Sequence, residues 1–245
     1  TSHIDSNNDP PNKSIWIKEP LISSLVDPPP PRSYDKGGGF VEISSKNYLK
    51  RANIAGVSLN GGTLLLDPRN IYVRDSSVGG TTLTSDLTNV DQYADGGTTS
   101  YRVNSSIIES AITSGTNVIL KAQRNIYVQS DIIATGSSGG DLTLNAGVDI
   151  NISANITTAN GNLTLEANNE SISGRGNNRY SDIDISSTVN LGTGDLNITL
   201  GNSNTTGSYD VNLSSATINA TDITITDSAT DNSQPSDLGN FTASS

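Results

Sequence analysis

Side chains that can carry a proton, attack a carbon or hold an ion are the natural starting point, and this chain is short of most of them. It has one histidine, His3, and no cysteine. A Ser-His-Asp triad needs an imidazole held between two partners, and His3 stands in a polar N-terminal stretch where a solvated role is expected. Without thiols and with one imidazole, a zinc site of the usual ligands is not available. Carboxylates are the remaining candidates. Asp182 and Asp184 are two apart, so a strand would place both on one face, with Arg179 nearby in sequence. Asp91 and Asp95 stand beside Arg102 in the same way. Glycoside hydrolysis uses two carboxylates across a concave face. Among 25 acidic residues such pairs arise from composition, and a chain that is not an enzyme is expected. Gly139-Gly140-Asp141 is an isolated fragment of a calcium-binding nonapeptide pattern, without its repeats. It reads as a turn before a strand, and neither metal nor cofactor is expected.

Asn-x-Ser/Thr occurs eleven times. Asn151, Asn155, Asn162, Asn197, Asn212 and Asn219 fall in alternating stretches that would turn the amide outward, which makes them the glycosylation candidates. Composition accounts for most of these sequons.

Whatever these residues do, the elements that hold them must be built from little apolar material. Hydrophobic residues make up 33% of the 245 and aromatic residues 4%, too few for one thick core. A formal charge of −11 repels nucleic acid and anionic lipid. No run reaches the roughly 18 apolar residues of a membrane-spanning helix. There is no methionine, so a processed chain or a fragment is expected.

Residues 1–38 hold most of the prolines, including Pro28-Pro29-Pro30-Pro31, and are expected to form an extended arm. Within it Ser14-Ile15-Trp16-Ile17-Lys18 alternates like a short strand, and Ile15, Trp16 and Ile17 are its candidate self-association residues. From residue 39 a repeat appears. Thr116-Asn117-Val118-Ile119-Leu120 returns as Asp141-Leu142-Thr143-Leu144, then as Asn162-Leu163-Thr164-Leu165, then as Asp195-Leu196-Asn197-Ile198. Val118 to Leu142 is 24 residues and Leu142 to Leu163 is 21. Inside each unit, pairs such as Leu142/Leu144 and Ile150/Ile152 keep period two, the mark of a strand with one buried face. Gly, Asn and Asp stand between them, as turns require. No window carries a convincing helical stripe.

This spacing fits a right-handed parallel β-helix over 39–226, an all-β solenoid of roughly seven to nine coils, with side-loop insertions and the Pro-rich arm. Asn side chains stacked at the turns would bond from coil to coil. A β-sandwich is the competing fold. Residues 74–114 and 173–193 interrupt the period and are expected to bulge from one face. The first holds the candidate contact residues Asp91, Gln92, Tyr93, Tyr101 and Arg102. Residues 227–245 read as a flexible polar tail.

The units at 61–73 and 114–128, both ending Arg-Asn-Ile-Tyr-Val, resemble the filamentous haemagglutinin family. So does Gly140-Asp141-Leu142-Thr143-Leu144-Asn145-Ala146-Gly147 with its continuation to Leu165. The resemblance covers roughly 39–225. It implies a secreted, cell-surface adhesin shaft or exoprotein passenger, exported with an outer-membrane secretion partner. Host or neighbouring-cell glycans or proteins would be its ligands. A subunit of a self-assembling filament, joined end to end by strand addition of the arm, is the alternative. A polysaccharide-degrading β-helix enzyme is a third reading.

Overall fold

The computed structural model describes residues 2–4, 13–18, 39–45, 51–53, 61–75, 89–95, 98–172, 180–201 and 208–228. The polyproline stretch, Arg179 and the tail beyond residue 228 lie outside them. The chain opens with β1 (Ser2–Ile4), β2 (Lys13–Lys18), β3 (Phe40–Ser45) and β4 (Arg51–Asn53). Next come β5 (Thr63–Asp67) and β6 (Asn70–Val73), the hairpin strands β7 (Asn89–Asp95) and β8 (Thr98–Val103), and the helix α1 (Ser105–Thr113). Three regular triplets then lead on: β9 (Asn117–Ala122), β10 (Ile126–Val128) and β11 (Ile132–Ile133), then β12 (Leu142–Ala146), β13 (Ile150–Ile152) and β14 (Ile156–Thr157), then β15 (Leu163–Ala167), β16 (Tyr180–Ile185) and β17 (Thr188–Asn190). The described chain ends with β18 (Leu196–Leu200), β19 (Ser208–Asn212), β20 (Thr217–Asn219) and β21 (Ile223–Asp227).

These strands form three sheets. The first runs β1-β2-β3-β5-β9-β12-β15-β18-β21, the second β19-β16-β13-β10-β6-β8-β7-β4, and the third β11-β14-β17-β20. From β9 on, each repeat adds one strand to each sheet in turn, and repeat stacks on repeat in parallel. Parallel pairing between units in sequence order excludes the antiparallel sandwich. The register is the one the sequence spacing implies, with Leu142 opposite Val118 on one side and Leu163 on the other.

Alternation explains both the strands and the core. In β9, β12 and β15 every second residue is buried, and the aliphatic column Val118, Leu142, Leu163, Leu196 is fully buried. A second column, Ile71, Ile126, Ile150, Ile183, and a third, Ile132, Ile156, Val189, Ile218, bury the inner faces of the other two sheets. Each such side chain contributes about 1.5–3 kcal/mol by leaving water. A few per repeat therefore suffice at a low overall hydrophobicity.

The turn entering the first sheet demands glycine for a steric reason. A Cβ on Gly140 would fall against the Thr116 carbonyl, and one on Gly161 against that of Gly140, well inside contact distance.

Immediately after that turn, and before the strands of each sheet, stands a column of Asn and Asp. The backbone N–H of Asp141 donates to Asn117 Oδ1 at 2.9 Å, that of Asn162 to Asp141 Oδ1 at 2.8 Å, and that of Asp195 to Asn162 Oδ1 at 2.8 Å. Asp222 continues the line to Asp195 at 3.2 Å. Asn125 donates likewise to Asn70 at 3.2 Å, Asp149 to Asn125 at 3.4 Å, and Asp182 to Asp149 at 3.2 Å. Before the third sheet, Asn155 donates to Asp131 at 2.8 Å and Thr188 to Asn155 at 3.1 Å. The side chain supplies an acceptor one repeat away for an N–H at the strand entrance.

Three expectations need correction. Within 173–193, expected to bulge, Tyr180–Ile185 and Thr188–Asn190 are the repeat strands β16 and β17, in register with β13 and β14. Residues 105–113 are helical. Ile108 and Ile112, four apart, are buried on one face, and Asn104 caps the helix by accepting the N–H of Ser106 at 3.0 Å. Two apolar turns are too short to stand out as a stripe in an Ile-rich strand background. The 74–114 segment is also no simple bulge, because β8 pairs parallel with β6 and β7 pairs antiparallel with both β8 and β4.

Candidate functional site on the second sheet

The hairpin gathers the residues singled out as contacts. Asp91 lies opposite Arg102, Gln92 opposite Tyr101, and Tyr93 opposite Ser100. Arg102 is 4% exposed, so its guanidinium does not offer the contact surface expected of it. In register Arg102 meets Tyr72, Tyr72 meets Tyr127, Tyr127 meets Asn151, Asn151 meets Asp184, and Asp184 meets Asn212. After Arg102 this row holds two stacked rings, Tyr72 and Tyr127, whose centroids are 4.7 Å apart and whose planes differ by 19°. Asn125 Nδ2 donates to the Tyr127 hydroxyl at 2.9 Å and fixes the ring. The stack comes from the two Asn-Ile-Tyr-Val copies, whose tyrosines the repeat puts in register.

Beside this row runs the column Asn70, Asn125, Asp149, Asp182, Asp210. Burial pushes the Asp182 carboxyl up to about 6, with the carboxylates of Asp149, Asp184 and Asp210 adding to it. Burial also raises Asp149, against the N–H it accepts from Asp182 and the charge of Arg124. Asp182 and Asp184 thus share a strand as expected. Asp149 and Asp210 are the neighbours that sequence reasoning missed, and the recurring Asx before each aliphatic pair was the signal for them. No Lys or Arg occurs among the described residues from Asn125 onward. Arg69, Arg74, Arg102, Lys121 and Arg124 all precede it.

The other sequence candidates are scattered. Ile15, Trp16 and Ile17 lie in β2, which pairs with β1 on one side and β3 on the other; His3 stands opposite Trp16, and Trp16 opposite Glu42. Both edges of that strand are therefore filled by its own chain. Asn151 and Asn197 are half-buried on outward positions of β13 and β18. Asn155 and Asn162 serve as column acceptors. Asn212 Oδ1 accepts the N–H and hydroxyl of Ser214 at 3.1 and 2.7 Å. Asn219 Nδ2, the atom a glycan would use, donates to Asn190 at 3.0 Å. Asp141 of the glycine fragment is a column member, as a turn residue before a strand should be.

Among the described residues no group of three or more His, Asp or Glu is placed to hold a metal ion, and no helix is long and apolar enough to cross a membrane. No family model matches the chain, and no curated protein or solved structure matches it either.

Proposed function

We propose that this chain is a non-catalytic segment of an extracellular adhesin shaft or exoprotein passenger, its three sheets winding as a right-handed parallel β-helix. The carrying observation is the fixed order of first, second and third sheet in successive repeats, each strand in register with the one before. Connections between parallel strands of a sheet are right-handed almost without exception, and repeats about 4.8 Å apart build a stiff object from nearest-neighbour contacts. The repeats resemble those of filamentous haemagglutinins, whose place is the bacterial surface. The ligands of this reading are glycans or proteins of host or neighbouring cells. Tyr72 and Tyr127 form the rigid aromatic anchor that such contacts favour.

The filament alternative needs β2 to leave its place between β1 and β3 before it can cross to another subunit. The enzyme reading draws on Asp182, yet Asp149 and Asp182 each already accept a backbone N–H from the next repeat.

A binding screen of the whole chain against glycans and matrix proteins, with Tyr72→Ala/Tyr127→Ala as comparison and electron microscopy of the same preparation, tests the proposal. Short rods whose binding drops at least about tenfold in the variant are expected, as for loss of a hot spot. Absence of any binding would overturn the adhesive reading, and long fibres would replace it with the filament.

A further inference from the structure

Among the described residues the third sheet begins at β11. Its first strand, β11, sends the N–H of Ile132 to Asn155 O at 2.8 Å, and that of Ala134 beyond it goes to Thr157 O at 2.9 Å. Residues 133 and 135 therefore turn their N–H groups the other way, toward a strand that a preceding repeat would supply. In that place stands α1. The N–H of Ile133 donates to Glu109 Oε1 at 3.0 Å and that of Thr135 to Thr113 Oγ1 at 3.1 Å. The match is geometric. Four residues of helix advance about 6 Å, and two residues of strand advance about 6.6 Å, so side chains one helical turn apart meet alternate N–H groups of an edge.

The helix is held firmly enough for this. Ile108 and Ile112 are fully buried. The Asp75 carboxylate accepts the N–H of Ser105 at 3.3 Å, and the Ile112 carbonyl accepts the N–H of Gly140 at 2.9 Å. Ile133, 43% exposed, is the one exposed large hydrophobic among the described residues, and it stands on this edge. Without those two acceptors, an apolar edge with open N–H groups would invite strand addition. The other edge of the same sheet, β20, continues the column Ile132, Ile156, Val189, Ile218, so a second copy carries the strand that would fit.

We propose that α1 is a surrogate strand: Glu109 and Thr113 supply the acceptors of a missing β-strand and close the third sheet against β20 of a second copy. The role is independent of what the chain binds. The test is amide exchange at Ile133 and Thr135 in the full chain, read by NMR, together with sedimentation velocity over a concentration series. Glu109→Ala/Thr113→Ala removes both acceptors, whereas Glu109→Gln keeps an acceptor at each position. At least about tenfold faster exchange at both amides is expected in the double alanine variant, with Val118 and Leu142 amides unchanged and a concentration-dependent larger species. Glu109→Gln should match the parent in both. If the double variant disturbs the Val118 and Leu142 amides, Thr113→Val tests the Thr135 amide alone. Unchanged exchange at both amides would overturn the surrogate role, and fast exchange in a strictly monomeric variant would overturn the barrier.

Discussion

In the column before the first sheet, Asn117, Asp141, Asn162, Asp195 and Asp222, an amide separates Asp141 from Asp195, and the one adjacent acidic pair ends at the exposed Asp222. In the column before the second sheet, Asn70 and Asn125 lead into Asp149, Asp182 and Asp210, three carboxylates in successive repeats. Both columns do the same mechanical work, since Asn and Asp present the same Oδ1 to the N–H one repeat on. They differ in charge. An amide does the job at no electrostatic cost, whereas stacked carboxylates in a half-buried line repel one another and resist ionisation. Position fixes the hydrogen bond, and the choice between amide and acid sets how that position responds to pH.

The largest effect should come from removing what the two columns share. Leu142→Ala, next to Asp141, and Ile150→Ala, next to Asp149, each delete a fully buried side chain and should cost about 2–5 kcal/mol in urea unfolding. Similar costs would place the difference between the columns in the polar line alone. A loss under about 1 kcal/mol at either site would argue against a packed interior there.

The middle effect separates the columns. Asp182→Asn keeps an acceptor for the N–H of Asp210 and removes a charge. A carboxyl raised in the fold to about 6 contributes stability that is full below its unfolded value of 3.8 and lost as pH rises through about 6. A rise from 3.8 to about 6 corresponds to about 3 kcal/mol, and half exposure with solvent screening brings the expected gain at pH 7.5 nearer to about 1 kcal/mol. The parent should therefore lose more thermal stability between pH 4.5 and pH 7.5 than the variant does. Parallel melting curves for the two would remove the carboxylate line as the cause.

The smallest effect is the control. Asp141→Asn places an amide between the amides of Asn117 and Asn162 and should change stability by no more than about 0.5 kcal/mol. A change as large as that at Asp182 would show that carboxylate stacking is not what distinguishes the columns.

Much of the architecture was legible in the residues. Leu142/Leu144 and Leu163/Leu165 announced strands by period two, and the 24- and 21-residue spacings set the register that pairs Val118, Leu142 and Leu163. The third sheet was not legible, because β11 and β14 carry two residues each, too few for alternation to show. The helix was missed because its apolar face is two isoleucines long. Of the candidate contact residues, Asp91 and Arg102 are eleven positions apart on different strands, and only the antiparallel pairing of β7 with β8 brings them together.

What the sequence determined by itself is the local rule: an aliphatic pair with an Asx before it, repeated, and at Asp141, Asn162 and Asp195 a glycine before that. Those choices depend on neighbours a few residues away, on strand alternation and on turn sterics. Which residues share a row was decided by stacking. Tyr72 and Tyr127 are 55 positions apart, and Asp149, Asp182 and Asp210 are separated by whole repeats of unequal length. Side chains so distant in sequence acquire a common environment only when backbone hydrogen bonds between repeats fix the register, and with it the aromatic stack, the raised carboxyl and the helix that ends the third sheet.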